Sequence, residues 1–143
     1  MAYFVTGATG FIGQFLVANL LKRGQPIYVL IRKPSLKKLA AQREQWGAND
    51  KQVIAVVGDI GKKGLGIADA DVKKLKGKIN HFFHLAAIYD VKASDEAQQV
   101  ANVEGTRHAV QFAQAVQAGC FHHVSSIAAA GLYDGVFRED MFE

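Results

Sequence analysis

The sequence contains one cysteine, two prolines and no long hydrophobic run in its 143 residues. Cys120 has no intrachain partner, which excludes a disulfide scaffold, and a single thiol is compatible with a reducing compartment. No window approaches the roughly 18 consecutive apolar residues of a membrane span. The richest stretch, 11–21, is broken by Gly13, Gln14 and Asn19. A secretory signal would need a basic start, an apolar run and a small-residue cleavage site, whereas Met1-Ala2-Tyr3-Phe4-Val5-Thr6-Gly7 runs straight into a strand-like pattern. A cytoplasmic location without a membrane span is therefore expected. The net charge of +4 suits an anionic ligand, but Lys and Arg are dispersed over 32–33, 37–38, 62–63 and 73–78, so no nucleic-acid partner is expected.

Half of the residues are hydrophobic and a fifth are charged. A chain of this length buries about 68–70% of its unfolded surface and can build one core without staples. No linker, repeat or low-complexity tract divides it, so a single domain over 1–143 is expected. Short apolar runs alternate with stretches of helical period, the pattern of parallel strands joined by crossover helices, and the expected class is α/β. Strands are predicted at 2–6, 27–31, 53–57, 80–85 and 120–125. Helices are predicted at 11–23, 36–46, 69–76 and 95–118. In the first helix the apolar face is read as Phe11, Phe15, Ala18 and Leu21, or Leu16 and Leu20. Ser35 is expected to cap the second, Leu36, Leu39, Ala40 and Arg43 to share its inner face, and Gly47 to end it. Asp69 and Asp71 suit the positive end of the third. The fourth is expected to start after Ser94 with Asp95 and Glu96 and to end at Gly119. Its interior Gly105 suggests the close approach of another backbone.

The first strand runs into Thr6-Gly7-Ala8-Thr9-Gly10-Phe11-Ile12-Gly13 and then directly into the first helix. In this setting Gly7 permits a sharp turn, Gly10 lets a pyrophosphate lie on bare backbone, and Gly13 lets the helix pack close to the strand. The free N–H groups of the helix start then face an anion. Candidate dinucleotide-binding residues are thus Gly7, Thr9, Gly10, Phe11, Ile12 and Gly13. The second predicted strand ends in Arg32-Lys33, 19 residues beyond Gly13, with no carboxylate between Ile27 and Arg43. An acidic residue there would hold the ribose hydroxyls of NAD, whereas a guanidinium fork suits a 2′-phosphate, so the expected cofactor is NADP (NADPH). The third strand closes in Val57-Gly58-Asp59-Ile60. The fourth ends in His84-Leu85-Ala86-Ala87, where Ala86 and Ala87 would let the cofactor approach the backbone. His81 and His84 lie three apart and point to opposite faces of a strand, as do His122 and His123, so neither pair can chelate one ion and no metal is expected.

The spacing T-G-x-x-G-F-I-G resembles the extended branch of the short-chain dehydrogenase/reductase superfamily. The resemblance runs through 29–33, Gly58-Asp59-Ile60, His84-Leu85-Ala86-Ala87, the Asn102 segment Asn102-Val103-Glu104-Gly105-Thr106, and Val124-Ser125-Ser126. It implies a Rossmann-type doubly wound parallel sheet with five strands in the order 3-2-1-4-5. It also implies adenine contacts at Asp59 and Ile60, a mainly structural Asn102, and Ser126 as the catalytic serine that hydrogen-bonds the substrate oxygen, with Ser125 as its alternate. Segments 1–7, 65–67, 83–90, 123–131 and 137–143 are similar to the N-terminal reductase domain of bacterial fatty acyl-CoA reductases.

The family's reaction also needs a Tyr-x-x-x-Lys helix after the serine. Here Tyr133 is followed four positions later by Phe137, and no Lys occurs after Lys92. The expectation is therefore the N-terminal, cofactor-binding portion of an NADPH-dependent reductase acting on a carbonyl, such as a fatty aldehyde or fatty acyl-CoA. The isolated chain is expected to be inactive, with a bare fifth-strand edge open to homo-oligomer formation. The alternatives are a non-catalytic NADP-binding sensor or interaction module, or part of a nucleotide-sugar epimerase or dehydratase.

Overall fold

Runs such as Ile27-Tyr28-Val29-Leu30-Ile31 are apolar at consecutive positions, which suits strands covered on both faces. The computed structural model describes residues 1–87, 98 and 100–141. Its strands are β1 (Ala2–Thr6), β2 (Ile27–Ile31), β3 (Val53–Val57), β4 (Ile79–His84) and β5 (Cys120–His123). They form one sheet in the order β3-β2-β1-β4-β5, and every pairing is parallel, as the sequence predicts. The helices are α1 (Phe11–Leu21), α2 (Leu36–Trp46), α3 (Asp69–Leu75) and α4 (Gly105–Ala115), the last continuing a π-helical turn at Val100–Glu104. The expected helix start at Ser94, Asp95 and Glu96 lies outside the described residues, as do Ile88, Tyr89, Asp90, Phe142 and Glu143.

Alternation of side chains gives the sheet two cores. On one face Phe4 stacks on Phe82 at 4.7 Å, Phe82 on Phe121 at 5.2 Å, and Phe112 from α4 closes on Phe4 at 5.2 Å. On the other, Val17 and Leu20 of α1 and Leu39 of α2 pack with Val5, Ile27, Val29 and Val53.

Several local expectations are corrected. Of the two faces read for α1, that of Leu16 and Leu20 turns inward, together with Gly13 and Val17, while Phe11 and Phe15 are exposed and touch edge to face at 5.5 Å. This helix is apolar nearly all round, so periodicity does not select a face. Its rotation is fixed by Gly13, where a Cβ would sit 2.2 Å from the Gly7 carbonyl oxygen. Ser35 makes no side-chain cap, because it belongs to a 3₁₀ turn, Lys33–Ser35, that feeds α2 through backbone bonds. In α2 only Leu39 is buried, and Arg43 instead donates from Nε to the Val53 carbonyl at 2.9 Å. Gly105 accommodates the Ile60 side chain, 3.1 Å from a built Cβ, not a second backbone. Finally, α4 ends before Gly119, with Gln117 in the left-handed region at φ 56°.

The stacked phenylalanines predict a large cavity penalty. Phe82→Ala should lower the unfolding free energy by about 3–5 kcal/mol, measured by denaturant unfolding, against little change for the same substitution at exposed Phe11.

Candidate functional site

Because all five strands run parallel, every loop that follows a strand opens on the same edge of the sheet. The chain reverses its winding between β1 and β4, leaving a crevice there. The loop after β1 is built around two contacts that only glycine permits. Gly7 has φ +73°, and a Cβ on it would lie 2.8 Å from the Ala86 nitrogen, so the turn presses against the end of β4. Gly13 presses in the same way on the loop, against Gly7 and Ala8, rather than on β1 itself. Gly10 is the N-cap of α1, with extended backbone and no side-chain cap, and its N–H donates to the Gly7 carbonyl at 3.0 Å. The first turn of α1 carries no acidic residue. Gly10, Phe11 and Ile12 are exposed and Thr9 is half-buried, so the helix N-terminus offers an anion both backbone N–H groups and the positive end of the dipole.

Behind the loop lies a buried polar chain that reading the sequence for dinucleotide motifs did not single out. Thr6 pairs in register with His84, and its Oγ1 lies 2.7 Å from His84 Nδ1. Thr6 Oγ1 also accepts the N–H groups of Leu85 and Ala86, both at 3.2 Å. Its own proton must therefore go to Nδ1, which makes Nδ1 an acceptor and places the imidazole proton on Nε2. Nε2 donates to Thr106 Oγ1 at 3.2 Å, and Thr106 donates to the Asn102 carbonyl at 2.8 Å. Every hydroxyl and ring nitrogen is thus oriented, and the imidazole is held neutral. His84 is 1% exposed. Burial, with the neighbouring His123 as the lesser cause, lowers its pKa from 6.5 to about 4. The signal existed in the sequence as a Thr closing β1 and a His closing β4, but it needs the β1–β4 pairing to be read.

The other candidates occupy the same edge. Arg32 and Lys33 are exposed directly after β2. Asp59 follows β3, and its Oδ1 accepts the Gly61 N–H at 2.9 Å in an Asx-turn, so part of this carboxylate serves the loop. Ile60 packs on Gly105, and its carbonyl accepts from His108 Nδ1 at 2.9 Å. Ala86 is half-buried beside Gly7 and Ala87 is exposed. β5 ends at His123, two residues earlier than expected, although the Val124 N–H still donates to the His84 carbonyl at 3.0 Å. Ser125 and Ser126 follow it and are exposed. Tyr133 contacts Phe137 edge to face at 5.4 Å. A glycine cradle, an uncapped helix start, small residues opposite it and a cationic turn after β2 together fit a dinucleotide.

Comparison with known proteins agrees with this geometry. The profile of the male sterility protein family of NAD-binding domains matches residues 5–143. The chain belongs to the male sterility protein family. The extended short-chain dehydrogenase/reductase resemblance holds with it, and a nicotinamide dinucleotide is the ligand class of such domains. A linear gramicidin synthase of Brevibacillus parabrevis is 31% identical over 156 residues, covering 99% of this chain and 3% of that protein. A Drosophila melanogaster protein that carries a fatty acyl-CoA reductase name is 32% identical over 142 residues, covering 86% of this chain and 27% of that one. Among solved structures, the terminal R domain of the myxalamid PKS-NRPS pathway superposes with a TM-score of 0.78 at 28% identity, over 94% of this chain and 37% of that one. The chain thus spans well under half the length of these relatives. Among the described residues no helix is long and apolar enough to cross a membrane.

For this male sterility family domain, the neutral His84 predicts a specific pH response. The unfolded chain takes up a proton near pH 6.5 and the folded chain only near 4. Between those values the unfolded state binds more protons, so stability falls as the pH drops through that window, by at most about 1.4 kcal/mol per pH unit. Comparing denaturant unfolding of the wild type with His84→Gln between pH 7 and pH 4 should show this component lost in the variant. An unchanged pH slope would contradict the assignment.

Proposed function

We propose that residues 1–143 form the N-terminal, cofactor-binding portion of an NADPH-dependent reductase whose substrate carbonyl belongs to a fatty aldehyde or a fatty acyl-CoA. The observation that carries the cofactor choice is the exposed Arg32-Lys33 pair directly after β2, on the same sheet edge as the uncapped start of α1, whose first turn has no acidic residue. The reductase reading follows from NADPH use, and the substrate class rests on the fatty acyl-CoA reductase name carried by one relative.

In this reading each candidate has a physical task. Gly7 and Gly10 keep the cradle free of side chains, and the first N–H groups of α1, from Phe11 to Gly13, face the pyrophosphate. The Thr9 hydroxyl lies within the same loop. Arg32 presents a planar fork to the 2′-phosphate and Lys33 adds a second positive charge. Asp59 and Ile60 border the adenine. Ala86 and Ala87 are small enough to let the sugar and phosphates approach β4. Ser126 donates a hydrogen bond to the substrate carbonyl oxygen, where negative charge develops during reduction. When bound, the reduced nicotinamide supplies the hydride. The proton must come from elsewhere, because the 143 residues contain no Tyr-x-x-x-Lys and an unassisted Tyr near pKa 10 is a poor donor partner at neutral pH. These residues alone should therefore bind cofactor without turning it over.

Calorimetric titration should show tighter binding of NADPH than of NADH. Arg32→Asp should lose about 10–100-fold in NADPH affinity, the worth of a charged hydrogen bond, and shift preference towards NADH. Equal affinities for the two cofactors, unmoved by the substitution, would overturn the cofactor assignment. Steady NADPH oxidation by the 143-residue chain with a fatty aldehyde or acyl-CoA would overturn the division of labour.

A further inference from the structure

Parity within each strand separates His81 from His84 and His122 from His123, but it says nothing about neighbouring strands. In the sheet, His81 of β4 pairs in register with Cys120 of β5, and Phe83 pairs with His122. Cys120 and His122 are two apart on one strand, so both face the side on which His81 stands. The result is a three-residue group whose ligand atoms, His81 and His122 ring nitrogens and Cys120 Sγ, all lie within 4.8 Å of one another. His81 Nδ1 and His122 Nε2 already point at each other across 3.0 Å.

We propose that His81, Cys120 and His122 form a binding site for a borderline-soft divalent cation, of which Zn²⁺ is the natural occupant. Two imidazoles and a thiolate are the donor set such ions prefer, and a three-residue set leaves the fourth tetrahedral position for water. Zinc–nitrogen bonds near 2.0–2.1 Å in tetrahedral geometry set the two nitrogens about 3.3 Å apart, so the His81–His122 pair needs to open by only a few tenths of an ångström. The cation takes the place of the proton between the two rings, which moves to the other nitrogen of its own imidazole so that both rings stay neutral, and the Cys120 thiol releases its proton to solvent on binding. Both rings are steadied by aromatic neighbours. Phe83 stacks on His122 at 4.5 Å, and Tyr3 lies 6.0 Å from His81. Cys120 is an exposed free thiol, which leaves the site open to ions from solution.

The site starts at Cys120, the first residue of β5, and His81, the third of β4, and reaches to His122, one residue before β5 ends. Its function is mechanical. It bridges β5, an outer strand joined to the sheet through β4, to its neighbour by metal–ligand bonds in addition to the parallel ladder. It thereby steadies the strand that leads into Ser125 and Ser126.

The test is a titration of the tag-free chain with Co²⁺ in a non-thiol reductant, followed by displacement with Zn²⁺. One equivalent should produce a thiolate-to-cobalt charge-transfer band together with tetrahedral d–d bands. Cys120→Ser should abolish the charge-transfer band, and His122→Asn should weaken binding at least about 10–100-fold, the loss seen when even an outer-shell partner is disturbed. His108→Asn, at a histidine outside the cluster, should bind as the wild type does. Zn²⁺ should raise the melting temperature of the wild type and leave that of Cys120→Ser unchanged. Absence of the charge-transfer band in the wild type, or binding by Cys120→Ser and His122→Asn as tight as that of the wild type, would overturn the proposal.

Discussion

A neutral imidazole held between two threonine hydroxyls joins the three pieces of chain that make the cofactor crevice. Thr6 closes β1 and starts the glycine loop, His84 closes β4, and Thr106 lies in the first turn of α4. Each hydroxyl and imidazole N–H in this chain has one acceptor, so these side chains have a single proton arrangement and cannot slide without leaving a buried group unpaired. The same Thr6 hydroxyl receives the Ala86 N–H where β4 leaves the sheet, and it shares the Leu85 N–H with the Thr6 carbonyl. Gly7 then fits against Ala86 with no room for a side chain. The crevice between β1 and β4 is therefore preformed by packing and hydrogen bonds, which leaves less ordering for a ligand to pay on binding.

In the proposed reading, the surface around that fixed centre takes an anion with two separated phosphate groups. One would lie against the start of α1, where backbone N–H groups carry the recognition, and the other would reach the cationic turn after β2. The first kind of contact depends on what the loop lacks, namely side chains, and the second on what the turn carries. Asp59 contributes differently, because its carboxylate is partly used to hold the turn after β3.

The sequence was legible where a residue's role depends on its own strand or helix. Strands β1, β2 and β3 and helix α2 fall where the alternation of apolar runs and turn residues places them, and parallel order follows from crossover helices. It was less legible where the role depends on a partner. The sequence leaves two faces of α1 open because an almost wholly apolar helix shows no preferred side, and the contact of Gly13 with Gly7 decides for the one with Leu16 and Leu20. The space beside Gly105 is filled by the Ile60 side chain, from a loop 45 residues earlier. His84 and the His81–Cys120–His122 group both appear only once β4 has been placed between β1 and β5, since register is set by the whole sheet and not by any one strand.

The most direct test of a preformed nucleotide crevice at this edge is a map of backbone amide shifts in the 143-residue chain as NADPH is added. The account predicts the largest changes from Gly7 to Gly13, at Arg32 and Lys33, at Asp59 and Ile60 and at Ala86 and Ala87. Residues on the opposite edge, such as Gly24, Gly77 and Gly119, should stay unmoved. Shifts confined to that opposite edge, or none at saturating NADPH, would contradict it.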